Sequence, residues 1–404
     1  MHAPPVAALR PAVRRAILGL GVSQIIGWGS TYYLLSLLGG LISRDLGLSN
    51  GLALAGVSMT LASAAVIGPR VGRWQDRAGS TIVMSTGSVI TALGLVILSQ
   101  ITSWTGYYAA WLVIGIGAPM SLYSASFTAI AQISGQDGRR ALSYLTFLGG
   151  LASTVAWPAT ALLMNVLDWR SIVLLFAALN LAICLPIHLT CLGRRANDPH
   201  VVAAGDVVEP GIPASAQATA FVLFSAMLGL TGSITNSWSL LVFPVLMGIG
   251  FLPGAAVFIG SIVGVWQVAG RMGEMLLARR MSIFWTGLIA IGFMPLGFAA
   301  LLGSGGNLIA GGVFAALYGI SNGLITIARG GMALAIFGSR GYGERLNKLT
   351  VSQNIAGALA PIAGGYALDG VGAHVLVLIL LGLSSLALVL MMTLRRHCQR
   401  HGLR

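Results

Sequence analysis

The 404-residue sequence is short of charge. Only 8% of its residues are Asp, Glu, Lys or Arg, against about 25% in an ordinary soluble domain. A water-facing surface cannot be built from so few charges, and this argues against a soluble enzyme. Lysine is nearly missing: Lys348 stands alone, between Asn347 and Leu349. With no G-x-x-x-x-G ahead of it, it does not make a Walker A phosphate loop, so ATP-driven work by that route is excluded. Cysteine is scarce too. Cys184, Cys191 and Cys398 are too few, and too apolar in setting, for a disulfide framework or a zinc site. Of the acidic residues, Asp45, Asp76, Asp137, Asp168, Asp198, Asp206, Glu209, Glu344 and Asp369 fall in loops or at helix ends, and only Glu274 falls within an apolar run. His188 and His374 lie near helix ends, and His2, His200, His397 and His401 lie in tails or the central loop. They form no metal or catalytic cluster. H-E-x-x-H is absent, which argues against a membrane-embedded zinc protease. No cofactor and no metal is expected.

What is present is hydrocarbon. Hydrophobic residues make up 56% of the chain, and the mean hydropathy is +0.88. A bilayer core about 30 Å thick needs ~20 apolar residues per helix. Runs of that length recur near 16–42, 50–69, 80–100, 104–133, 140–166 and 170–192. They recur again near 218–247, 253–277, 282–302, 307–337, 345–368 and 372–394. The expected fold is therefore all-α and integral to the membrane, with twelve transmembrane helices. The longest polar stretch, 193–217, reads as a cytoplasmic linker between an N-terminal half (1–192) and a C-terminal half (218–404) that ends in a short basic tail. It carries Arg194, Arg195, Asp198, Asp206 and Glu209. The basic N-terminus runs straight into the first apolar stretch with no small-residue cleavage site, which reads as a cytoplasmic start rather than a removed leader.

The net charge of +13 fits this plan. With both termini cytoplasmic, 21 of the 23 basic residues fall at cytoplasmic ends, and only Arg44 and Arg170 fall outside. This is the positive-inside pattern, and it accounts for the charge without nucleic acid as a partner. An internal repeat supports the division into halves. Gly47 matches Gly250, Gly68 matches Gly270, Pro158 matches Pro361 and Asp168 matches Asp369, at offsets of 201 to 203. Two six-helix halves related in this way describe a transporter with a site near mid-membrane.

The segment Gly72-Arg73-Trp74-Gln75-Asp76-Arg77-Ala78-Gly79 resembles the signature G-x-L-A-D-R-x-G-R-[KR] of the major facilitator superfamily. It matches at Gly72, Asp76, Arg77 and Gly79 and departs at Ser80 and Thr81, where the family has basic residues. The resemblance implies the major facilitator fold and a gating role for these four residues. Asp76 would cap a neighbouring helix N-terminus and pair with an arginine across the interface between halves, the bland alternative being a solvated loop charge. Gly27-Trp28-Gly29-Ser30-Thr31-Tyr32-Tyr33, Trp157-Pro158 and Asp168-Trp169-Arg170 resemble bacterial members near the monocarboxylate and oxalate/formate branch.

Two arginines fall inside apolar runs. If Arg279 takes the place of Arg77 in the repeat, Arg271 lies eight residues deeper, about 12 Å at 1.5 Å per residue. Arg329 lies nine residues before Gly338, at a similar depth. A charge there costs about 2.5–3.5 kcal/mol even on the lenient scale, so each should face a cavity or a partner. A guanidinium grips a carboxylate or other oxyanion through paired hydrogen bonds. Arg271 also resembles the helix-8 arginine that the anion branch uses on substrate carboxylate. Gln267 stands where the monocarboxylate carriers place an aspartate, and this puts their proton relay in doubt here. The bland alternatives are an Arg271–Glu274 pair at i+3 and snorkelling of Arg329 to the headgroups.

Gln24, Trp28 and Tyr32 form a polar-aromatic stripe at i, i+4 and i+8 that could line a cavity or pack against a neighbouring helix. Asn236, Trp266, Gln267 and Asn322 are similar substrate-contact candidates, and Glu274 is the proton-coupling candidate. The reading is a secondary transporter working by alternating access on a small organic anion or oxyanion. The alternative is efflux of a neutral or amphipathic toxicant of drug or metalloid type. The expected partners are a small-molecule substrate, the lipid bilayer and, for coupling, protons. The expected functional unit is a monomer, and the expected location is a bacterial inner membrane.

Overall fold

The computed structural model describes residues 9–48, 50–192, 208–277 and 281–403. Arg194, Arg195, Asp198, Asp206, Arg279, Arg280, Arg404, His2 and His200 lie outside the described residues, as does most of the expected linker. The described chain is almost entirely helical. Its helices are α1 (Pro11–Ser30), α2 (Leu34–Leu46), α3 (Asn50–Ala78), α4 (Ser80–Gln100), α5 (Trp104–Ser121), α6 (Tyr123–Ser134), α7 (Gly138–Gly150) and α8 (Ala152–Leu163). There follow α9 (Trp169–Leu179), α10 (Leu185–Thr190), α11 (Ala214–Ile249), α12 (Pro253–Leu277), α13 (Ile283–Leu302), α14 (Leu308–Phe337) and α15 (Tyr342–Arg400). Ten helical spans among the described residues are long and apolar enough to cross a membrane. One of the ten is α15, whose 59 residues contain a non-helical Gly372 at φ 83°. This break falls where the sequence predicts the passage from an eleventh to a twelfth helix.

Helix starts follow local chemistry. Pro11 occupies the first turn of α1, where its missing N–H costs nothing. The side chains of Ser103, Asp168 and Asn307 accept N–H groups in the first turns of α5, α9 and α14. Hydrogen bonding to the Ser171 side chain holds the carboxyl of Asp168 below the ordinary carboxylate range.

Several spans expected as single helices are interrupted, and three of the interruptions have a local hydrogen bond or a proline beside them. Between α1 and α2, Thr31 Oγ1 donates to Gly27 O at 2.6 Å, and Tyr33 N reaches back five residues to Trp28 O. Leu122 separates α5 from α6 three residues after Pro119, which lacks an N–H. Between α9 and α10 lies a π turn, Asn180–Cys184. There Asn180 Nδ2 donates to Phe176 O at 2.9 Å, a carbonyl it shares with its own backbone N–H.

The described chain divides into two compact units. The first comprises the residues up to Glu209 together with Ser339–Lys348, and the second comprises Pro210–Gly338 with Leu349–Arg404. The core of the first joins α2, α4, α5 and α9 through Leu38, Leu95, Trp111, Ile114, Ile172 and Phe176. In the second, Trp238, Phe298, Phe314 and Tyr318 from α11, α13 and α14 pack ring against ring, with centroids 4.7 to 5.8 Å apart.

The repeat is visible in how two helices end. Gly47 closes α2 at φ 62°, and Gly250 closes α11 at φ 110°. Leu48 N bonds Ser43 O and Gly47 N bonds Arg44 O. Phe251 N bonds Leu246 O and Gly250 N bonds Met247 O. The two C-caps are the same motif, 203 residues apart, and a left-handed residue at that position favours glycine.

Candidate functional site

Arg271 sits on α12 in the second unit and is only 6% exposed. Its Nε and Nη1 donate no hydrogen bond, and it forms no ion pair with Glu274 among the described residues. The close approach of α12 and α14 sets this burial. A Cβ on Gly319 would lie 2.6 Å from both Val263 O and the Trp266 Cβ, and one on Gly323 would collide with Gln267 O. Two glycines one turn apart thus let the helix backbones touch. Glu274, also 6% exposed, lies one turn further along α12. Trp266 is 39% exposed, and Gln267 is half-buried.

Arg329, on α14, is half-buried and donates from Nη1 to Gln353 Oε1 on α15 at 3.1 Å. Gln353 packs directly on Gly232 of α11, where a Cβ would meet Gln353 O at 2.6 Å. Asn236 donates to Gly232 O at 2.9 Å. Arg329 and Gln353 therefore meet across α14 and α15, and Gln353 packs on α11 one turn before Asn236. Asn322 is half-buried on α14. Gln353 is not legible in the sequence as a site residue, because its partner Arg329 lies on another helix.

The signature segment ends α3 in the first unit. Asp76 accepts the backbone N–H of Gly343 at 3.0 Å on Oδ1 and that of Glu344 at 2.7 Å on Oδ2. It thus caps the open first turn of α15. Burial pushes the Asp76 carboxyl up to about 6, against the opposing pull of those two N–H groups. Gly72 lets the backbones meet, since a Cβ there would collide with Gly343 O. Gly79 turns the chain at φ 85° into α4. Arg77 is exposed. Glu344 binds Arg73 at 3.2 Å and Lys348 at 2.8 Å. The departure at Ser80 has a structural reason. Ser80 is wholly buried, accepts from Gln75 Nε2 and donates to Gln132 Oε1 at 2.6 Å, so a basic side chain has no room there.

The helix-1 stripe is divided. Gln24 is wholly buried, and its Nε2 donates to Ser121 O at 2.9 Å and to Ser126 Oγ at 2.8 Å. Trp28 and Tyr32 instead join Tyr33, Tyr123 and Trp157 in an aromatic cluster.

Three further arrangements surround these residues. His188, 1% exposed, ties α10 to two helices: Nδ1 lies 2.9 Å from Ser88 Oγ and 3.1 Å from Met84 O, and Nε2 lies 3.1 Å from Ser23 Oγ. Arg170 is bound by Asp45, donates to Ile101 O and stacks on Trp169. The run Gly319-Ile320-Ser321-Asn322-Gly323 has G-x-S-x-G spacing, yet it lies inside the continuous helix α14. Ser321 is wholly buried and donates to Ala290 O. A nucleophile elbow needs an exposed serine on a strand-to-helix turn, so this is not one. Among the described residues no three His, Cys, Asp or Glu side chains converge to hold a metal.

A sequence model of the Major Facilitator Superfamily matches residues 20–218. No curated protein matches the sequence. Among solved structures, the human organic anion transporter MFSD10 (TETRAN) superposes with a TM-score of 0.75 at 16% identity. The match covers 95% of this chain and 100% of that one. The proton:xylose symporter XylE, bound to 6-bromo-6-deoxy-D-glucose, gives a TM-score of 0.69 at 13% identity, covering 94% of this chain and 95% of that one. The transporter FucP in its outward conformation gives 0.65 at 15% identity, covering 93% and 97%. The chain is a multi-pass membrane protein with the fold of the Major Facilitator Superfamily.

Proposed function

We propose that this chain is a secondary transporter of the major facilitator superfamily that moves a small organic anion or oxyanion by alternating access. The observation that carries the reading is Arg271, a buried guanidinium on a membrane-length helix with two donors unpaired. Burying such a charge is costly unless something of opposite charge meets it. A carboxylate or oxyanion does so with paired hydrogen bonds. Arg329, with Gln353 beside it, is the second anion contact. Gln267, Trp266 and Asn322 are the further contacts on α12 and α14, and Asn236 is the one on α11. Trp28 and Tyr32 are the candidates of the first unit, and Gln24, committed to Ser121 and Ser126, is not among them. The similarity to a structure named as an organic anion transporter supports the same class, as do the segments resembling the monocarboxylate and oxalate/formate branch.

Gly72, Asp76, Arg77 and Gly79 form the gate. Asp76 holds the first turn of α15, and that hold breaks in the transport cycle. Glu274 couples transport to protons. The functional unit is a monomer of two six-helix halves, 1–192 and 218–404, joined by the linker 193–217. It lies in a bacterial inner membrane with both termini cytoplasmic, which the arginine asymmetry supports.

A second reading, efflux of a neutral or amphipathic toxicant, is favoured by the aromatic cluster around Trp28. Tracer uptake into proteoliposomes separates the two. Small carboxylates and oxyanions are offered with and without a pH gradient, beside Arg271→Gln, Arg329→Gln and Glu274→Gln. The expected result is uptake that Arg271→Gln abolishes and a gradient response that Glu274→Gln removes. Uptake of no anion by the wild type, together with efflux of a neutral amphiphile that survives Arg271→Gln, would overturn the anion reading.

A further inference from the structure

A cavity of about 360 Å³ opens in the second unit between α11 and the two parts of α15 on either side of Gly372. One wall is a recessed helix face. Ala356, Ala360, Ala363 and Ala367 follow one another at three- or four-residue intervals, with Gly364 beside them. The opposite wall is built of Leu376, Leu380 and Leu383. Leu359 and Ile379 stand on the rim, 61% and 43% exposed, and an apolar strip continues outward through Ile355 and Ile362. We propose that this groove holds one hydrocarbon chain of a membrane lipid.

The lining chemistry selects the occupant. No charged side chain lines the cavity, so neither an anion nor a cation gains anything there to offset its desolvation. Water fares little better, because a buried water needs two to four polar partners. The lining side chains offer only two hydroxyls. Ser233 is committed to Gly229 O at 3.1 Å. Thr235 and Ser239 likewise bond the carbonyl four residues back, whereas Ser237, 4% exposed, makes no side-chain hydrogen bond among the described residues. Ser237 can make the same turn back onto α11, so a hydrocarbon neighbour need strand no donor. An empty apolar recess would forfeit dispersion contacts along its whole wall. Both helices that build it are membrane-length and apolar, so acyl chains are the hydrocarbon available to fill it. This site shares no lining residue with the proposed anion contacts and does not depend on them.

The test uses the full-length protein in phosphatidylethanolamine–phosphatidylglycerol vesicles doped with a phospholipid that carries a diazirine on one acyl chain. After irradiation, labelled peptides are mapped by mass spectrometry. Labelling is expected to concentrate on residues 356–367 and 376–383. Ala360→Leu, which places an isobutyl group in the recess, should cut labelling there roughly fourfold, the factor expected for losing contact with one methylene. Leu383→Phe narrows the groove from the facing wall and should do the same, while labelling of other exposed apolar helices holds steady. Circular dichroism and a single symmetrical elution peak establish that each variant is folded. Labelling spread evenly over all exposed apolar helices, or left unchanged by both folded variants, would overturn the proposal. Because the readout is lipid contact rather than transport, the result stands whether or not the protein carries anions.

Discussion

Asp76 and Glu344 are 268 positions apart in the chain, yet the Glu344 backbone N–H donates to the Asp76 carboxylate at 2.7 Å. With Gly343 on the other oxygen, the end of α3 supplies the cap that α15 lacks at its own start. The carboxylate also lies at the positive end of the helix dipole, where a negative charge is favoured.

This relationship has a pH signature. Burial raises the folded-state Asp76 from its usual 3.8 to about 6, so between those values the folded chain keeps a proton that the unfolded chain has released. Stability contributed by this group therefore falls as pH rises from about 4 to about 6 and is level outside that window. Asp76→Asn, neutral throughout, should lack the slope. Thermal melting of the two purified proteins across that range checks this, and parallel curves would refute it.

Gly72→Ala is expected to cost more than an ordinary small-to-large change. The new Cβ would collide with Gly343 O and press within 2.8 Å of Asn347 Nδ2. Backbone must move to accept it, at about 1–3 kcal/mol. A melting temperature close to that of wild type, with transport intact, would show that this approach is not needed.

His188→Ala should destabilise the first unit by about 2–4 kcal/mol. It opens a cavity and leaves buried Ser23 and Ser88 without their imidazole partner. His188→Gln keeps a donor and an acceptor and should recover part of the loss in a denaturation assay. An alanine variant as stable as wild type would contradict this.

Gly47→Ala and Gly250→Ala should each cost about 1 kcal/mol, because both place a side chain on a left-handed residue. The repeat makes the pair a matched experiment. Losses of similar size are expected, and a neutral effect at either site would mean its C-cap does not form.

Asp45→Asn should leave the stability almost unchanged. Its ion pair with Arg170 is 43% and 33% exposed on the two sides, and exposed pairs contribute little. A large loss of stability would assign this pair a role beyond surface electrostatics.

Much of the architecture could be read along the chain because it rests on local quantities. The helical spans follow from apolar run length, and the matched caps follow from Gly47 and Gly250 at a fixed offset. Gly72 and Gly79 were legible as parts of a motif, although the reason for Gly72 lies in Gly343, far along the chain. Gln24 shows the limit. Its spacing with Trp28 and Tyr32 reads as one stripe, but Gln24 is spent on Ser121 and Ser126, while the two aromatics cluster with Tyr123 and Trp157. Periodicity tells which residues share a helix face and is silent on what that face meets. The roles of His188 and Gln353 were not legible for the same reason, since their partners lie on other helices.

The sequence by itself determined that this chain lives in hydrocarbon, runs through it repeatedly and carries an internal duplication. Those properties follow from transfer free energies and from the order of residues. Only the tertiary structure decided which polar groups are satisfied. It showed that Asp76 caps α15, that Ser80 fills a buried amide network where the signature has a basic residue, and that Arg271 keeps two donors unpaired among the described residues. In a low-dielectric interior a polar group's energy depends on the few atoms within about 3 Å of it, and folding brings those atoms from distant parts of the chain.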